Sequence, residues 1–146
     1  MRHPEWFQVL LSVWMHSALL ASDSYVIPVK PEPLSRGGLD LLKGVINRVS
    51  TNYGRKLKCL GVVFTIADTT HTVYKDACEF IDNDKTWHNK RFQNVLPRRT
   101  KIAKGQGQQN LILDLEDNRA KSAVVNITEE LLRKFNQKCN RVTPKN

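Results

Sequence analysis

The sequence predicts an α/β fold, a parallel sheet flanked by helices. Short apolar, β-branched segments recur at residues 25–29, 60–66 and 92–96. Between them run longer segments with apolar residues three and four apart, the spacing of an amphipathic helix. Strands alternating with helices imply parallel strands joined by helical crossovers. The length of 146 residues predicts one domain, enough for an ordinary core. With 40% apolar and 25% charged residues, the composition is that of a globular chain.

Residues 7–20 read as a helix with Phe7, Leu10, Leu11, Trp14 and Ala18 on its buried face. Residues 25–29 read as a short strand buried on both faces of the sheet. Pro28, Pro31 and Pro33 exclude helix there and hold an extended loop. The next helix opens at Leu34 or Ser35. It presents Leu39, Leu42, Val45, Ile46 and Val49, and it ends before Gly54, placed just past the C-terminus. Leu60-Gly-Val-Val-Phe-Thr-Ile66 is nearly all apolar or β-branched and reads as a strand buried on both faces. Asp68-Thr-Thr-His71 is the loop leaving its carboxyl end. A lone Asp and a lone His make no catalytic set, so that loop reads as solvated. Residues 72–82 read as a helix. Residues 92–96 form a third strand, stopped by Pro97. Residues 97–109 are polar and basic and contain Gly105 and Gly107, which reads as loop. Residues 111–115 are a short apolar piece of either type. Residues 120–137 are the closing helix, with Ala123, Val124, Ile127, Leu131 and Phe135 inward.

Lys and Arg number 23 against 14 Asp and Glu, a net charge of +9. Such a balance favours polyanionic partners. It is concentrated in residues 85–104, with seven basic residues, no acidic ones, and Trp87 and Phe92 interspersed. Cys59, Cys78 and Cys139 have no metal-ligand or disulfide spacing, so a reducing, cytoplasmic setting is expected, with Cys59 buried. Glu5, Gln8 and His16 interrupt the apolar N-terminal segment, and its continuous apolar run is too short to span a bilayer. No membrane partner is expected.

Four segments, in order, resemble the ParA/MinD family of partition and positioning ATPases. They are Ala21-Ser-Asp-Ser-Tyr-Val-Ile-Pro-Val-Lys-Pro-Glu-Pro33, then Gly38-Leu-Asp-Leu-Leu42 in the following helix. Leu60-Gly-Val-Val-Phe-Thr-Ile-Ala-Asp68 comes next, and Val95-Leu-Pro-Arg98 with Lys101 is last. Together they cover about residues 17–136. The resemblance implies that residues 1–140 are the C-terminal half of a P-loop NTPase-like α/β domain, followed by a polar tail at 141–146.

In that family a glycine-rich loop with a Lys cradles the phosphates of ATP, and an Asp serves Mg²⁺. The sequence has no Gly-Lys pair. Arg2-His3-Pro4-Glu5 stands about where the Mg²⁺-associated Asp would fall, and Gly105-Gln-Gly107 is followed by no Lys-Ser or Lys-Thr. The reading is therefore a truncated partition protein, unable to hydrolyse ATP alone and binding neither ATP nor Mg²⁺ alone. The alternatives are an accessory DNA-binding subunit pairing with an intact ParA, and an inactive folded remnant. No catalytic residue and no metal site is assigned.

The resemblance places Pro97, Arg98 and Arg99 on the adenine side of the nucleotide. It also implies non-specific DNA binding, for which Arg98, Arg99, Lys101 and Lys104 are the candidates. A ParB-type partner and association with the nucleoid follow from the same resemblance.

Overall fold

The computed structural model describes the backbone of residues 5–139 and the side chains of residues 13–137. The elements are α1 (Glu5–Leu20), β1 (Ser24–Val29), α2 (Leu34–Tyr53), β2 (Lys58–Phe64), α3 (Thr72–Asn83), α4 (Thr100–Gly107) and α5 (Asn118–Cys139). β1 and β2 form a two-stranded parallel sheet. The architecture is therefore α/β, with five helices among the described residues. The described residues form two compact units: residues 5–25 with 36–59, and residues 26–35 with 60–139.

In the first unit Leu19, Val45 and Val49 form a buried cluster, with Met15, Leu20, Ile46 and Leu57 packed against it. The α2 face is the one its spacing predicts. Gly54 follows the helix at φ 63°, a left-handed position open to glycine. The α1 face differs from expectation. Trp14 is 71% exposed and Ala18 is exposed, while Met15 and Leu19 turn inward. The apolar residues of α1 surround it almost completely, so periodicity alone does not select the face that packs. Phe7, Leu10 and Leu11 lie outside the described side chains. Cys59 is buried, as expected, and hydrogen-bonds Tyr25; burial first, and then the thiol, push the Tyr25 pKa up.

The second unit is organised on β2. Cys59 to Phe64 are buried without interruption, as their composition requires. β1 is different: Ile27 and Val29 are buried, whereas Val26 and Pro28 are exposed. β1 has a single strand neighbour, β2. Pro28 has no N–H to offer a ladder, and an outer strand is where a sheet tolerates it.

The third strand is interrupted. Residues 90–98 run parallel to β2, but only through isolated bridges at Val62–Arg91 and Ala67–Pro97. The Val62 N–H donates to the Lys90 carbonyl and the Phe92 N–H to the Val62 carbonyl; further along, the Leu96 N–H reaches the Phe64 carbonyl. Between the bridges this segment makes six residue steps against five from Val62 of β2 to Ala67 just past it. The extra residue breaks the ladder, as a bulge does. The N–H groups of Gln93 and Asn94 donate instead to the Glu130 carboxylate of α5, at 2.9 and 3.0 Å.

The crossing at Gly61 is close. A Cβ there would lie 2.3 Å from the Lys90 carbonyl oxygen and 2.7 Å from the Phe92 ring, and Gly61 has φ 153°. Phe92 and Trp87 are each 1% exposed. The aromatic residues of the basic stretch are therefore core, with no face available to a base. Phe64 packs edge-on against Tyr74 of α3 with ring centres 5.6 Å apart.

Two further expectations are corrected. Residues 100–107 are helical, not loop, since Thr-Lys-Ile-Ala-Lys is helix-competent and the glycines come at the helix end. Gly105 has a packing role: a Cβ would meet Leu115 Cδ2 at 2.5 Å. In α5, Ala120 is buried and Ala123, Val124, Ile127 and Leu131 are partly buried, but Phe135 is 45% exposed. The polar tail at 141–146 lies outside the described residues.

Gly61→Ala is expected to destabilise the fold by about 3 kcal/mol, because the obstacles are a backbone oxygen and a buried ring. Chemical denaturation reads this as a lower midpoint at unchanged slope.

Candidate nucleotide and nucleic-acid surface

Ligands of α/β folds bind outside the carboxyl ends of the strands. In the second unit that end is formed by residues 65–71 after β2, residues 97–99 after the bridged segment, and the start of α5. They enclose an open, polar cleft of about 730 Å³ lined by Ala67, Asp68, Pro97, Arg98, Arg99 and Arg119, among others. Pro97, Arg98 and Arg99 thus share one cleft, with Asn118 and Ser122 of α5 opposite. Lys101 and Lys104 are not among its lining residues.

Arg98 is exposed and has no ion pair among the described residues. Arg99 is bound within the chain. Its Nε donates to Asp117 Oδ2 at 2.8 Å. Asp117 is 4% exposed, and its Oδ1 accepts the Ala120 N–H at 3.1 Å. Asp117 is therefore the N-cap of α5, satisfying a donor that the first turn leaves free. The Arg99 hydrogen bond, helped by that backbone bond, holds the Asp117 pKa below the ordinary carboxylate range. Lys101 Nζ donates to the Glu116 carbonyl at 2.7 Å. Both cations tie the α4 region to the entry of α5.

The rest of the basic stretch divides the same way. Arg91 Nε and Nη2 form a forked pair with Asp82, with Nη2 to Oδ2 at 2.9 Å. Lys90 Nζ donates to the Thr86 carbonyl at 2.7 Å. Lys85, Arg98 and Lys104 are exposed with no ion pair among the described residues. Of the four candidate DNA contacts, the fold leaves Arg98 and Lys104 without such a tether and commits Arg99 and Lys101 to structural bonds. A linear sequence displays charge but not the acceptors opposite it; only Asp117, three residues before the buried Ala120, hints at a cap.

At the β2 exit the Thr70 hydroxyl donates to Asp68 Oδ1 at 2.7 Å and His71 Nε2 lies 3.2 Å from Oδ2. The Thr70 hydroxyl, and then the Thr70 N–H, hold the Asp68 pKa below its ordinary value. Both side chains are substantially exposed, at 47% for Asp68 and 70% for His71. Ile66 adopts φ 55°, a left-handed conformation unusual for a β-branched residue. No cluster of three or more His, Cys, Asp or Glu residues able to hold a metal occurs among the described residues. Nor is any described helix long and apolar enough to cross a membrane.

The second wall of the cleft depends on Glu130, which sequence reading passed over. It is 6% exposed. Burial pushes its carboxyl up. The N–H groups of Asn94 and Gln93, the Asn94 amide and the Lys134 ammonium outweigh burial, and its pKa lies below the ordinary glutamate value.

A small α/β unit with an open, cationic cleft at its strand ends is the class of protein that this geometry defines. No protein-family model matches the chain. Among curated proteins it is similar to the "Virulence plasmid ParA family protein pGP5-D" of Chlamydia psittaci, 29% identical over 128 residues. The match takes in 86% of this chain and 46% of that protein, so the chain spans about half the length of the relative. This similarity supports a ParA-like relationship.

Glu130→Gln should lower stability by about 2 kcal/mol at neutral pH, since an amide cannot accept from all the donors the carboxylate serves. A folded pKa below the unfolded one gives stability that is present above the unfolded value and lost as pH falls through the folded value. The melting temperatures of the two proteins should therefore converge below about pH 4.5, the ordinary glutamate value. Melting curves across the acid range check this.

Proposed function

We propose that the chain is a ParA-like protein of plasmid or chromosome partition. The similarity to a ParA family protein over 128 residues carries this reading. By the same resemblance Pro97, Arg98 and Arg99 correspond to the residues on the adenine side of ATP in an intact protein, a reading supported by their shared position at the strand ends. The sequence contains no Gly-Lys pair and so no phosphate-cradling loop with its Lys. Without that cradle, phosphoryl transfer loses the positioning and charge stabilisation that constitute its catalysis. The chain accordingly hydrolyses no ATP by itself, and ATP with Mg²⁺ is the ligand of an intact relative of this kind. Non-specific DNA is its partner on the cytoplasmic nucleoid, together with a ParB-type protein.

A second reading is an accessory DNA-binding subunit that pairs with an intact ParA. It is favoured by the net charge of +9 and by the exposed Arg98, Lys104 and Lys85. Both readings differ from an inert remnant in requiring DNA contact.

Fluorescence anisotropy with unrelated duplexes separates these outcomes. Binding should be weak, indifferent to sequence and steeply weakened by salt, because it rests on counterion release. The double variant Arg98→Ala/Lys104→Ala should lose most of it and flatten the salt slope by roughly one unit per contact removed. Arg99→Ala/Lys101→Ala should chiefly lower the melting temperature. Sequence-selective binding, or binding unchanged in the first variant, counts against DNA partnership through these residues. ATP turnover should equal a blank with or without DNA; turnover that survives repurification would overturn the catalytic reading.

A further inference from the structure

A second cavity lies in the same unit, under α4. It has a volume of about 530 Å³ and is walled chiefly by Ile66, Leu96, Ile102, Ala103 and Ile112. The pocket opens to the surface, since Ile66, Thr100, Ala103 and Gln106 of its lining are exposed, and its volume falls within the range of small-molecule sites. The α4 helix is packed closely against Leu115 at Gly105, so loose packing of the whole helix does not account for the space. Ile66 stands in the wall at φ 55° and is 50% exposed. Strained conformations of this kind concentrate at ligand sites.

The rim has one sign of charge. Arg98 and Arg99 line it, and no Asp or Glu does. Arg99 is held in place by Asp117, while Arg98 has no ion pair among the described residues. Thr100, the first residue of α4, lies on the same rim. That helix begins without a side-chain cap and without an acidic residue in its first turn, which leaves the positive end of its dipole uncompensated. Apolar walls below a cationic rim suit an anion that carries an apolar chain.

We propose that the cavity under α4 binds a monomeric amphiphilic anion, with an apolar chain against Leu96, Ile102 and Ile112 and a carboxylate at Arg98. This inference is independent of the partition role. The adenine-side cleft and this cavity share residues 97–99 but have different further walls, α5 in one and α4 in the other.

Isothermal titration of the full chain with dodecanoate, below its micellar concentration, tests it. Saturable one-to-one binding is expected, at least ten-fold tighter than binding of dodecylamine. Arg98→Gln should weaken it at least five-fold. Ala103 is exposed and lines the cavity, so Ala103→Trp should fill the space and abolish binding while circular dichroism and melting temperature stay near wild type. Should that variant fail to fold, Thr100→Trp at the exposed first turn replaces it. Absence of saturable binding, equal affinity for dodecylamine, or binding that survives a folded cavity-filling variant overturns the proposal. So does capture by anionic phospholipid vesicles without binding of monomeric dodecanoate, which would assign the charge to a membrane surface.

Discussion

The bridged segment from Arg91 to Pro97 carries one residue more than the stretch it runs beside, Val62 of β2 to Ala67 just past it. Two neighbouring N–H groups, those of Gln93 and Asn94, are consequently turned out of the ladder at a partly buried place. A buried donor without an acceptor costs about 1–3 kcal/mol. Glu130 supplies the acceptor, with both oxygens engaged and the Asn94 amide added at 2.8 Å. The carboxylate is itself tolerable there only because it is surrounded by donors and lies 3.7 Å from Lys134. Helix and segment therefore define each other's position. The residues that follow, Pro97 to Arg99, inherit theirs from this contact.

The entry of α5 is fixed in a related way. Asp117 caps the first turn with one oxygen and holds Arg99 with the other, and Lys101 reaches the carbonyl just before it. Carboxylates thus anchor α5 at both its start and its middle to the segment that ends at the cleft. The cleft is shaped by acids buried behind it, while its open side is lined by arginines.

Much of this architecture was legible in the sequence. Four of the five helices and the two paired strands followed from periodicity, and the uniform burial of Cys59 to Phe64 followed from their composition. The broken third strand was not legible, because Phe-Gln-Asn-Val-Leu has strand composition and nothing local announces an extra residue. The helix at 100–107 was hidden by Gly105 and Gly107, whose reason is the tertiary approach of Leu115 at the first of them. The face of α1 was misread because apolar residues surround it. At the cleft, the resemblance singled out Pro97, Arg98 and Arg99, and the fold sets all three along its lining. The resemblance could not show that Arg99 was already spoken for by an acid 18 positions away.

That partition of the cations has a kinetic side. A protein's field at long range depends on its total charge, here +9, and total charge governs how fast a polyanion is drawn in. Residence depends on the contacts made after arrival, and affinity differences between related complexes arise mostly there. Within residues 85–104, Arg91, Arg99, Lys90 and Lys101 point their donors at their own chain, which leaves three of the seven basic side chains there, Lys85, Arg98 and Lys104, to hold what the field collects. For the DNA partner proposed above, fast capture followed by early release would let a molecule sample a long anionic lattice instead of settling on one stretch of it.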